Sequence, residues 1–155
     1  MSKKLFLSIF ICMLFIPLNM ASQNDGKVSY KAVKYKDNVK APLTSNELSK
    51  IQEVYQESTK KQVLDRPAYV KRIKHLLRNR FSIIQINIKE KQRNYTLLSE
   101  VDLFNHYNKN LKRDTNFNRQ TFNPLKYNFD FYPSENKLYR VDGTNYFIQI
   151  KSQFQ

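Results

Sequence analysis

The chain has 155 residues and a formal net charge of +14, from 27 Lys or Arg against 13 Asp or Glu. Glycine stands only at positions 26 and 143 and cysteine only at position 12, so no glycine-rich phosphate loop, Gly-x-Ser-x-Gly elbow or cysteine zinc site can be built. A positive balance this large favours anionic partners: nucleic acid, phospholipid head groups, lipopolysaccharide or acidic glycan.

Met1-Ser2-Lys3-Lys4 is a short positive segment, Leu5 to Leu18 is an apolar run, and Asn19-Met20-Ala21-Ser22 is a polar, small-residue exit. That pattern predicts a secretory signal peptide over 1–22, cleaved to leave one small exported domain over 23–155. The apolar run is shorter than the roughly 20 residues that cross a bilayer. Met20 or Asn19 stands where a signal peptidase prefers a small residue, so an uncleaved N-terminal anchor is the alternative, and it too exports the domain. Cys12 lies behind Ile9-Phe10-Ile11, without the small residues of a lipidation site, and leaves with the leader. A thiol-free exported domain leans bacterial, towards periplasm or cell surface, because small eukaryotic extracellular domains are often disulfide-stapled. There, membrane surface and glycan rank above nucleic acid as partners.

Lys27 to Lys36 alternates Val28, Tyr30 and Ala32 with polar residues and then changes phase at Val33 and Tyr35, the pattern of a half-buried strand with a bulge. Thr44-Ser45-Asn46-Glu47 has the form of a capping box, flanked by Leu43 and Leu48, and opens a helix predicted from Ser45 to Lys60 with Leu48, Ile51, Val54 and Tyr55 on its apolar face. Pro67 is placed to start a second helix. Val70, Ile73 and Leu77, with Tyr69 and Leu76, form its apolar side, and Lys71, Arg72, Lys74, His75 and Arg78 its polar one.

Ser82 to Glu90 alternates as a strand, turns at Lys91-Gln92-Arg93-Asn94, and leads to a second strand over Tyr95 to Leu98. Ser99 and Asp102 are candidate caps for a short helix carrying Phe104, Tyr107 and Leu111, followed by a polar, basic loop over 112–124. The last third reads as a β-meander: Lys126 to Tyr132, a turn at Pro133-Ser134-Glu135-Asn136, Lys137 to Val141, the Asp142-Gly143 turn, then Tyr146 to Lys151. The fold class that results is α+β, an antiparallel sheet packed by two or three short helices.

From Lys60 to Arg93 stand eleven Lys or Arg against two acids, Asp65 and Glu90. Lys71, Arg72, Lys74, Arg78 and Arg80 are the candidate anion-binding residues on this stretch, the ordinary alternative being a solvated helix face. Phe129, Phe131, Tyr132, Tyr139, Tyr146 and Phe147 recur on the meander and would either display rings beside Lys126, Lys137 and Arg140 or fill a core that has no Trp. Asp102 and His106, four apart with Glu100 nearby, fall short of a zinc ligand set, and no metal or cofactor is expected. Asp130, Glu135 and Asp142 are the carboxylates from which a catalytic site would have to be made, and no catalytic residue is assigned.

Several pieces in order resemble the front part of the GLPGLI family of exported Bacteroidetes proteins: a leader ending in Ser22-Gln23, the segment Gly26-Lys27-Val28-Ser29-Tyr30, the alternating stretch from Phe81 to Leu98, and the hairpin from Tyr132 to Lys151. The Gly-Leu-Pro-Gly-Leu-Ile sequence that names the family is absent. The resemblance implies a shortened or divergent relative and carries over no functional residue. The function expected is therefore a non-enzymatic envelope protein whose basic surface contacts anionic lipid, lipopolysaccharide, acidic glycan or an envelope protein partner. Two other readings are a small periplasmic hydrolase with a carboxylate-centred site, and a truncated member of a longer β-rich secreted family with an unpaired strand edge at its C-terminus.

Overall fold

A computed structural model describes residues 32–87 and 95–154. The predicted signal peptide, the Gly26–Tyr30 segment and the Lys91–Asn94 turn lie outside these residues. Local chemistry sets the first helix, α1, Ser45–Tyr55. Thr44 Oγ1 accepts from the Glu47 amide at 3.2 Å, and Glu47 Oε2 accepts from the Thr44 amide at 2.8 Å, which satisfies two otherwise orphaned donors. Ile51, Val54 and Tyr55 are buried along it.

Helix α1 ends earlier than the periodicity predicts. Gln56 turns the chain at φ 47°, ψ −129°, and a 3₁₀ turn over Gln56–Ser58 and a π-helical turn over Lys60–Leu64 follow, the latter burying Val63. A side chain with a Cβ is strained at this φ. Replacing Gln56 by glycine is expected to raise stability by about 1 kcal/mol, read as a higher urea midpoint with an unchanged slope.

Pro67 opens the second helix, α2, Pro67–His75, as its missing donor allows. Ile73 and Leu76 are buried, with Val70 and Leu77 half-buried beside them. A π-helical turn, Leu76–Arg80, continues α2 directly into strand β1, Phe81–Gln85. A π turn closes its hydrogen bonds over five residues rather than four and so rotates the helix surface. His75, on the face expected to be solvated, is buried, and so is Arg80, which follows Ile73 by seven residues and Leu76 by four and so shares their apolar side.

Strands β2, Lys137–Arg140, and β3, Tyr146–Ile150, form the hairpin predicted at Asp142-Gly143, where Gly143 takes φ 64°. The sheet is antiparallel in the order β1-β3-β2, with Ile83 opposite Ile148 and Ile148 opposite Tyr139. The fold is thus α+β, with a three-stranded antiparallel sheet packed by helices. Strand β3, the last in the chain, is central and paired on both sides, not an open edge.

The middle of the chain departs from the expected elements. The Ser82–Glu90 strand has its ladder only over Phe81–Gln85 among the described residues. Residues 32–36, the described part of the opening strand, join no ladder. The strand expected over Tyr95–Leu98 is one bridge, Leu97 to Arg140, and the strand expected over Lys126–Tyr132 is one bridge, Leu103 to Tyr127, after a 3₁₀ turn at Pro124–Lys126. The helix expected after Ser99 does not form. Its backbone groups are engaged elsewhere: the Ser99 amide donates to Asp142, the Phe104 amide to the Lys126 carbonyl at 2.8 Å, and the Asn128 amide to the Asp102 carbonyl at 2.8 Å. Packing dictates this course. Phe122 stacks between Phe81 and Tyr127, with centroids 6.0 and 5.4 Å away, and Phe129 continues from Tyr127 at 5.4 Å. Most of the aromatics of this region pack into or against the core, while Tyr132 stays exposed.

Candidate anion-binding site

The five cations singled out on 71–80 separate into three roles. Lys71 and Arg72 are exposed on α2. Lys71 Nζ sits 4.2 Å from the centre of the Tyr35 ring, and Lys74 Nζ donates to the Ala41 carbonyl at 2.8 Å. Among the described residues none of these three has a carboxylate within ion-pair distance.

Arg78 does not belong to that face. Its Nε and Nη2 donate to Glu47 Oε1 and Oε2, each at 2.6 Å, and its remaining donors reach the carbonyls of Asn38, Ala41 and Pro42. The two side chains are 14 % and 10 % exposed. Arg78 is a structural staple between α1, the turn at Asp37–Lys40 and the end of α2, and its charge is spent on Glu47.

Arg80 is placed differently again. It is 5 % exposed, its Nε and Nη2 donate to the Lys151 carbonyl at 3.0 and 2.9 Å, and Nη2 also donates to the Phe131 carbonyl at 2.6 Å. Among the described residues it has no carboxylate partner, and its Nη1 donates no hydrogen bond. Burial holds its guanidinium below the ordinary value, only partly countered by Tyr132, Asp130 and Tyr35.

Arg80 lines two cavities. One, of about 210 Å³, is walled by aromatic rings including Tyr55, Tyr69, Phe104 and Phe131, over Ile73 and Leu76. The other, of about 270 Å³, is lined by Tyr35, His75 and Gln153 among others, and Arg72, Arg80 and Tyr132 line both. No Asp or Glu lines either among the described residues. The hydroxyls of Tyr55 and Tyr69 lie 2.6 Å apart, and burial pushes both phenols up, so they stay protonated. One hydroxyl proton lies between the two oxygens, which leaves the other as a donor. Burial, then the charges of Arg80 and Lys36, holds His75 below its ordinary value, which keeps the ring neutral near pH 7.

The sequence marks few of these residues. Tyr55, Tyr69, Phe104, Phe131 and Gln153 come from separate segments and share no spacing. Arg80 was legible as a cation, not as a buried one.

The carboxylates weighed for catalysis have local duties. Asp142 accepts from the amide and hydroxyl of Ser99, and Asp130 accepts from the Tyr132 amide at 3.1 Å. Burial pushes the Asp142 carboxyl up, but the Ser99 bonds, its own backbone amide and the charge of Arg113 together hold it below its ordinary value. Glu135 is exposed. Asp102 and His106 do not share a helix, and no group of three His, Cys, Asp or Glu able to hold a metal occurs among the described residues. Among those residues no helix is long and apolar enough to cross a membrane. Comparison with protein-family models, with curated proteins and with solved structures finds no match.

Proposed function

We propose that the protein is an exported, non-enzymatic envelope protein that meets anionic envelope material, lipid head groups or acidic glycan, through the cations of α2, the exposed Lys71 and Arg72 and the half-buried Lys74. The supporting observation is the contrast within one short stretch. Arg78 is neutralised by Glu47, whereas Lys71, Arg72 and Lys74 have no ion-pair partner among the described residues. Each Lys or Arg held near an anionic surface contributes about 1 kcal/mol, and salt screens the attraction within a Debye length. The leader predicted over 1–22 and the surplus of positive charge in the rest of the chain fit an envelope address.

The test is sedimentation with vesicles rich in phosphatidylglycerol, at rising salt. Binding is expected at low ionic strength and should fall steeply by about 0.5 M salt. The double variant Lys71→Glu and Lys74→Glu should weaken it more than about tenfold while the protein stays folded, the melting temperature falling by no more than the loss of the Ala41 and Tyr35 contacts requires. Binding that ignores salt, or that survives the double reversal, overturns the proposal.

A further inference from the structure

The geometry points to a second, separate site: we propose that the paired cavities around Arg80 bind a small organic carboxylate with a one-ring apolar body. Its carboxylate would lie between Arg80 Nη1 and Arg72, and its ring among Tyr55, Tyr69, Phe104 and Phe131.

The case begins with a buried charge that has no ion-pair partner among the described residues. A buried guanidinium is costly unless an anion faces it. Among the described residues the other buried lysine or arginine, Lys126, has its anions, Asp114 at 2.6 Å and Glu53 at 3.2 Å, and the half-buried Arg78 is held by Glu47. Arg80 has carbonyl oxygens on two of its nitrogens and donates nothing from the third; it lines cavities whose walls hold no carboxylate among the described residues, and Asp130 acts on it only from beyond ion-pair distance. The same residue lines both an aromatic chamber and a more polar one. A ligand with an anionic end and an apolar end would satisfy both.

Size sets the body. An apolar cavity of roughly 150 Å³ can hold benzene. The aromatic chamber here is about 210 Å³, room for one ring and a short arm. Donor count sets the head group. Arg80 Nη1, Arg72 and the spare tyrosine hydroxyl match the two oxygens of a carboxylate, in the charge-assisted geometry arginine favours. A dianionic phosphate ester would need more donors than these to leave water. Arg72 alone is common to this site and to the exposed face, so Lys71 and Lys74 serve as the control: their reversal should leave this binding unchanged.

Calorimetric titration of the purified protein with phenylacetate, acetate, benzyl alcohol and phenyl phosphate tests the inference. Phenylacetate is expected to bind and to raise the melting temperature, with the other three at least about tenfold weaker, because each lacks the ring, the charge or the fitting head group. Arg72→Gln should weaken phenylacetate about tenfold without changing the melting temperature of the free protein. Asn128→Trp, on the exposed rim of the aromatic chamber, should block it while leaving the fold intact. Arg80→Lys should lose binding even where it folds, since the fork is gone. Acetate binding as well as phenylacetate, phenyl phosphate binding more tightly, no binding at all, or binding untouched by Asn128→Trp and Arg72→Gln would each overturn the assignment.

Discussion

Arg78→Met is expected to lower the stability of the protein by about 3–4 kcal/mol, far more than reversing either exposed cation beside it. Removing the guanidinium leaves the Glu47 carboxylate, on a side chain 10 % exposed, without its countercharge, and takes donors away from the carbonyls of Asn38, Ala41 and Pro42. Breaking a buried pair from one side costs more than removing both, because the cost lies in the charge left behind. The double variant Glu47→Leu with Arg78→Met should therefore lose less than the two single losses added together, as read by urea unfolding. The acid limb offers a second check. The Arg78 hydrogen bonds, against the opposing effect of burial, hold the Glu47 carboxyl below its ordinary value of 4.5. A carboxyl lowered in the folded state gives stability that is present above its unfolded value and is lost as pH falls through the folded one. The advantage of the natural protein over Arg78→Met should accordingly be full at neutral pH and shrink below about pH 4.5. A loss under 1 kcal/mol at pH 7, or one that does not change in acid, would mean that the pair is a surface contact.

The same residue shows where the sequence was readable. The capping box at Thr44–Glu47, the Pro67 helix start and the Asp142-Gly143 hairpin were legible because the groups that make each one are sequence neighbours. The pairing of Arg78 with Glu47, 31 residues earlier in the chain, was not. A regular helix places residues 71, 74 and 78 on one side, and nothing in Leu76-Leu77-Arg78-Asn79-Arg80 marks the π turn that breaks this continuity. Residues 95–132 were hardest. Ser99, Phe104 and Asn128 commit their amides to Asp142, Lys126 and Asp102, partners from 22 to 43 residues away, and Phe and Tyr pack equally well from loops as from strands. The candidate cavities have the same character. Their aromatic walls are gathered from several segments by tertiary packing, so only the charges on 72 and 80 could be read in advance.

Phe147 carries the other large expectation. Its alternation with Ile148 and Ile150 places it on the opposite face of β3, a face that an antiparallel sheet often leaves in water. Yet Phe147 is 0 % exposed, as are Ile148 and Ile150, although it stands apart from the main core cluster. Tyr95 packs edge-on against it, with centroids 4.9 Å apart at 73°. Phe147 also sits on the central strand, opposite Ile84 on one side and Arg140 on the other, so a void there weakens both ladders. Phe147→Ala should cost about 3–5 kcal/mol, as large-to-small changes in a filled site do. Tyr95→Ala should cost less, and the pair should couple by about 1 kcal/mol in a double-mutant cycle, the scale of an aromatic contact beyond its buried area. A wet second face would give a loss for Phe147→Ala below 1 kcal/mol and no coupling to Tyr95. The covered face gives a loss comparable to that of Ile148→Ala, and so identifies β3 as a strand buried on both of its surfaces.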